Sequence, residues 1–145
     1  MNINIKKLNN DAKLPYRATS GSAGADLFAC IDEDIVIAPN ERKLIPTGIA
    51  IGLTENNCGA FIFPRSSVSY KNGVSLANCV GVIDSDYRGE VKVPLINHSD
   101  CDFIVHNGDR IAQLVIMPVI IPEFTVCDEL NETTRGEGGF GSTGV

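Results

Sequence analysis

Two carboxylates, Asp84 and Asp86, stand two residues apart in "NCVGVIDSDYRGEV" (78–91), beside Tyr87. A carboxylate carried on a rigid apolar strand such as "GVI" can act as a base that activates water. The same pair also suits a plain Asp-rich turn. A calcium loop of the helix–loop–helix kind is excluded, because Arg88 takes the third ligand position and the twelfth is not acidic. Tyr87 would form an aromatic wall next to the acid.

A second group, "PRSS" (64–67), sets Arg65 beside the hydroxyls of Ser66 and Ser67. At the start of a helix, with its free N–H groups, these make an anion site, although an ordinary cap with a surface arginine has the same spelling. In "AGADL" (23–27) and "GDRIAQL" (108–114), Asp26 and Arg110 are candidates for a structural ion pair. Gln113, set in an apolar run, needs a hydrogen-bond partner if buried.

The tail "RGEGGFGSTG" (135–144) combines five glycines with Arg135, Phe140, Ser142 and Thr143. Gly136, Gly138 and Gly141 spell a dinucleotide-binding pattern, but only four residues follow Gly141, so no helix can follow either. A P-loop fails as well, because Ser142 stands where its lysine belongs. What remains is a disordered tail or a flap that orders on a ligand. For the flap, Arg135 would grip phosphate and Phe140 would stack on a base, the latter worth ~1–3 kcal/mol. Ordering ten residues costs on the order of 10 kcal/mol, so phosphate contacts would be indispensable.

These groups must be positioned by β-structure. Short β-branched runs such as "DIVIAP", "KLIPTGIAIGL", "GAFIFP", "VSLANCVGVI", "EVKVPLIN", "DFIV", "IAQLVIMPVIIP" and "EFTVC" are separated by turns such as "TENN", "HSD" and "HNGD". This predicts an all-β sandwich or barrel. In "EVKVPLIN", Val91, Val93 and Leu95 alternate with Lys92, Pro94 and Ile96, as in a half-buried strand, with Pro94 best placed near an edge or bulge. One short helix is expected over "PRSSVSYKNG", capped by Ser66 or Ser67 and stopped at Gly73; a hairpin through Asn72-Gly73 competes. "IAQLVIMPVIIPEF" is too continuously apolar for a strand with one wet face, so contacts between copies should cover part of it. Residues 1–130 read as one domain, and a glycine-rich C-terminal arm spans 131–145.

Composition narrows the classes. A chain of 145 residues with net charge −6 is a poor match for nucleic acid or a membrane surface. No apolar run approaches the ~20 residues of a membrane span, and "MNINIKKLNND" lacks the apolar core of a signal peptide, so a cytoplasmic location is expected. The cysteines, five and scattered, read as buried free thiols of a reducing compartment. His98 and His106 have no metal-ligand spacing.

Taken in order, "AGADL", "PRSS", "NCVGVIDSDYRGEV", "GDRIAQL" and "RGEGGFGSTG" closely resemble the conserved blocks of the trimeric dUTP pyrophosphatases and cover residues 23–144. The resemblance implies a jelly-roll-like β-fold, a homotrimer with three shared sites, and hydrolysis of dUTP to dUMP and pyrophosphate. That reaction keeps uracil out of DNA and supplies dUMP for thymidylate synthesis. The first, second and fourth blocks of one chain would meet the third block of a neighbour and the arm of the remaining subunit. Asp84 would orient and deprotonate the attacking water. Arg65, Ser66, Ser67 and Gln113 resemble the phosphate-binding groups, Arg135, Ser142 and Thr143 would close on the β- and γ-phosphates, and Gly141 would join the substrate-binding set. Phe140 would cover the uracil and Tyr87 would lie under the deoxyribose. Asn78 and the backbone near Val82, Ile83 and Lys92 would read the uracil edge. One Mg²⁺ would be held through the phosphates and water, with no direct protein ligand. A dCTP deaminase of the same superfamily, and a non-catalytic trimeric nucleotide- or protein-binding module, are the alternatives.

Overall fold

The structure is a computed structural model that describes residues 2–139. Ten strands and one helix follow each other as β1 (Ile3–Lys7), β2 (Ala25–Phe28), β3 (Ile35–Ile37), β4 (Arg42–Leu53), β5 (Cys58–Phe63), α1 (Ser66–Asn72), β6 (Val74–Leu76), β7 (Gly81–Ile83), β8 (Glu90–Asn97), β9 (Phe103–Val105) and β10 (Arg110–Pro118). They form two open four-stranded sheets, ordered β1-β4-β8-β6 and β2-β10-β5-β7, and a two-stranded ribbon β3-β9. Every pairing is antiparallel. The expected β character with one short helix is therefore present. No helix among the described residues is long and apolar enough to cross a membrane.

Alternation in the sequence becomes alternation in burial. Along β8, Val91, Val93 and Leu95 are buried while Lys92 is exposed. They join Ile45, Ile49 and Ile51 of β4, Ala60 and Ile62 of β5, and Ala112 and Leu114 of β10 in one core. Removing such side chains from water is the main stabilising term, about 25 cal/mol per Å² of apolar surface. Two polar groups are also fully enclosed, and each is satisfied. Thr47 donates to the Val91 carbonyl. The Asn97 amide donates to the carbonyls of Ile37 and Cys101 and accepts from the Ser99 N–H and hydroxyl.

β4 and β8 lose register between Pro46 and Ala50. Gly48 makes this bulge, with φ +67°, and a Cβ there would come within 2.8 Å of both Ala12 and Cys30. Only glycine satisfies both conditions. The bulge lets the Gly48 N–H bind the Glu90 carboxylate at 2.9 Å and fixes the start of β8 next to the turn that carries Asp84.

Several local expectations need correction. Residues 3–7 and 25–28 form strands that no turn-bounded β-branched run announced. "EFTVC" forms no strand, because after Pro118 the chain has no β partner; Ile120, Phe124 and Val126 are more than 90% exposed. Pro94 lies in an inner strand, not at an edge. Its carbonyl faces Ala77, just past the last residue of β6, so the missing N–H falls where the neighbouring strand has already ended. The helix is capped by the extended backbone of Arg65 with no side-chain cap, not by a serine, while Gly73 ends it in the left-handed conformation as expected. All five cysteines are free, but only Cys30 and Cys58 are buried.

Candidate active site

Most of the described residues singled out from the sequence fall into two groups on opposite flanks of one sheet. The first surrounds a cavity of about 440 Å³. Strand β7 and the following turn supply Val82, Ile83, Asp84 and Tyr87, the β6–β7 loop supplies Asn78, and β8 supplies Lys92. The turn closes through the Tyr87 N–H on the Asp84 carbonyl, and Arg88 clamps it with bonds to the carbonyls of Ser85 and Tyr87. Tyr87 folds back so that its hydroxyl donates to the Glu90 carbonyl at 3.1 Å. Asp84 is exposed at the rim and free to meet solvent. The walls Leu44, Ile62 and Pro94 were not anticipated, since nothing in their local sequence separates them from core residues.

The second group lines a cavity of about 330 Å³ that includes Arg65, Gln113, Asp26, Arg110 and Gly24. Asp26, nearly buried, is its anchor: Oδ1 accepts from Arg65 Nε at 2.9 Å and Oδ2 from Arg110 Nη1 at 3.2 Å. The expected Asp26–Arg110 pair exists, and Arg65 joins it. Arg65 also donates to the Arg110 carbonyl at 3.1 Å. Such charge-assisted bonds fix a guanidinium better than packing does. β10 brings Gln113 opposite Asp26 on one side and Phe63 on the other. Gly24 leaves room for it, as a Cβ there would lie 2.8 Å from Gln113 Oε1. Ser66 and Ser67 open α1 next to Arg65 and are exposed. Tyr16, bridged to Asp26 by backbone hydrogen bonds, completes a wall that the sequence did not reveal.

One chain does not bring the two groups together. Ile83 pairs with Ala60 on one flank of β5, whereas Gln113 pairs with Phe63 on the other, and Arg65 continues the extended chain beyond it. Ala60 and Phe63 are three residues apart, about 10 Å at ~3.3 Å per residue, and the two cavities share no lining residue. Arg135 lines neither cavity; its Nε binds the Gly138 carbonyl in a turn of the tail. Phe140, Gly141, Ser142 and Thr143 lie outside the described residues. Among the described residues, no three His, Cys, Asp or Glu side chains gather into a metal cage.

Known proteins share this backbone. It matches the Staphylococcus bacteriophage 80alpha dUTPase with dUPNHPP at a TM-score of 0.90, over 99% of each chain and with 29% identity, so the architecture is of the dUTPase class. The sequence is 56% identical to the deoxyuridine 5'-triphosphate nucleotidohydrolase of Desulfitobacterium hafniense over 92% of this chain and 88% of that one. It is 53% identical to the same enzyme of a Hydrogenobaculum species over 100% and 99%. The dUTPase family model matches residues 10–144. The chain belongs to the dUTPase family, enzymes that hydrolyse deoxyuridine triphosphate.

Proposed function

We propose that the chain hydrolyses dUTP to dUMP and pyrophosphate at sites shared between copies of a homotrimer. The observation that carries this reading is the division of the candidate residues between two cavities that share no lining residue and lie on opposite flanks of β5. A nucleotide triphosphate must touch the water-activating acid and the phosphate clamp at once. A second copy has to bring its Asp84 cavity against the Arg65 cavity of the first. Such a contact joins two different faces, and head-to-tail contacts of this kind close into rings.

In the assembled site, uracil enters the cavity beneath Val82 and Ile83. Asn78 and the exposed strand backbone read its edge, and the confined slot excludes thymine's methyl. Cytosine meets donors where it needs acceptors, a mismatch that buried polar groups punish strongly. Tyr87 lies beneath the deoxyribose and leaves no room for a 2'-hydroxyl. Arg65 and Gln113, with the hydroxyls of Ser66 and Ser67, hold the phosphates. Asp84 accepts a proton from a water aligned with the α-phosphorus, and pyrophosphate departs on the opposite side. Mg²⁺ carried by phosphate oxygens and water would supply neutralisation of charge on the leaving group. Arg135 and the glycine-rich arm from 131 onward close the site over the phosphates from a further subunit. In this reading the enzyme works in the cytoplasm, supplying dUMP and limiting uracil in DNA.

Pyrophosphate release from dUTP, dCTP, dTTP and UTP, run in water labelled with oxygen-18, tests the proposal. The label should enter dUMP and only dUTP should turn over well. Label in the pyrophosphate would remove attack at the α-phosphorus, and ammonia from dCTP would favour a deaminase. Asp84→Asn should lower turnover by ~10³-fold or more while nucleotide binding persists.

A further inference from the structure

The geometry points to Gly89 as the positioning residue that sets the Tyr87 ring, and so as a determinant of sugar selectivity. This rests on the reading of Tyr87 as the wall beneath the sugar.

A glycine after an Asp-Tyr-Arg turn invites a conformational explanation, yet the backbone of Gly89 does not adopt the left-handed φ that would demand one. Gly48, Gly73, Gly108 and Gly136 do adopt it. The constraint at position 89 is room. A Cβ there would lie 2.3 Å from the Tyr87 hydroxyl oxygen, 2.6 Å from its Cζ and 3.0 Å from Cε2. Contacts of carbon with such atoms settle near ~3.5 Å, so the ring would have to move by about 1 Å. The three nearest atoms to that Cβ all belong to one side chain, which is half-exposed, and Gly89 is itself exposed. An added methyl therefore displaces the ring without pressing on the core.

The ring position so set is the one the cavity uses. Tyr87 lines it together with Asp84, and its hydroxyl is tethered to the Glu90 carbonyl only because the ring can lie flat across residue 89. Glu90 is itself held by the Gly48 N–H in the β4 bulge. The chain of contacts runs from bulge to Glu90 to Tyr87, and Gly89 is the gap that lets it close. Displacing a substrate-positioning group by ~1 Å costs up to ~10²-fold in rate.

Gly89→Ala, Tyr87→Ala and the double variant, prepared as the full assembled enzyme, test the inference through the ratio of kcat/KM for dUTP to that for UTP. Gly89→Ala should lower the ratio by ~10-fold or more with unchanged thermal stability, and should add less than ~2-fold in the Tyr87→Ala background. Independent, additive losses would overturn the inference. If Gly89→Ala folds poorly, the double variant decides: recovery of folding on removing the ring supports the collision, and equal damage refutes it. Ring placement is read separately by NMR on labelled tyrosine. A ring-to-Gly89 Hα contact in the wild type that is lost in Gly89→Ala supports the inference, and its absence from the wild type overturns it. If Tyr87→Ala leaves the ratio unchanged, the sugar reading fails by itself; the inference falls with it as regards selectivity, while the NMR contact still reports on positioning.

Discussion

Mixing two inactive variants gives the most direct measure of whether sites form between chains. Arg65→Ala removes the clamp half-site and leaves the Asp84 cavity intact; Asp84→Asn does the reverse. The two positions line separate cavities on opposite flanks of β5, so neither change reaches the other's cavity. If each site takes its clamp from one subunit and its acid from the next, a site in a random equimolar mixture works only when the clamp comes from an Asp84→Asn chain and the acid from an Arg65→Ala chain. Each condition holds half the time, so about one quarter of wild-type activity should return. The proteins are denatured together in urea, refolded, and assayed by pyrophosphate release, with separately refolded samples combined afterwards as control. Recovery near a quarter only after joint refolding is expected. A mixture no more active than the two variants alone would refute the split-site reasoning, because a site built within one chain can never be restored by a neighbour.

Four further outcomes follow from the structure. Asp26→Asn removes the charge holding Arg65, which is largely buried, and Arg110, which is half-exposed and screened; a loss of about 3 kcal/mol in urea unfolding is expected, and a loss below ~1 kcal/mol would refute the anchor. Truncation before Arg135 should leave the sheets folded and the enzyme nearly inactive, and full activity would refute a closing arm. His106 bonds Asp34 at 2.8 Å, and that hydrogen bond and charge raise its pKa above the usual 6.5, so its stabilisation is complete below that value and lost as pH rises through the folded one; the Tm gap to His106→Gln should shrink on going alkaline, and a constant gap would contradict this. Cys79 holds φ +62°, so Cys79→Gly should raise stability by ~0.5 kcal/mol, and a lowered urea midpoint would show that the thiol compensates.

Legibility varied with the range of the signal. Val91, Val93 and Leu95 were readable because a half-buried strand writes its two faces into alternate residues. Gly73 was readable because a helix end is a local event. The strand at 25–28 was not, because "ADLF" is too short to show a period and owes its state to β10, more than eighty residues away. "EFTVC" failed for the converse reason: β propensity without a partner makes no strand. The chemistry-bearing residues were legible as types, yet Leu44 and Pro94, which wall the first cavity, carry no signal apart from those of ordinary strand residues.

The proposed division of the site has a physical origin in the sheet. Catalytic groups need support that resists displacement, and β5 with its neighbours β7 and β10 supplies it on both flanks. A single copy offers two separate cavities with no lining residue in common. In the proposed assembly, apposing them between two copies would make one pocket while leaving each strand unbent. Gly24 and Gly89 fit the same scheme: each sits where a side chain of one rim, Gln113 or Tyr87, lies flat against backbone, so that the group is aimed before any partner arrives.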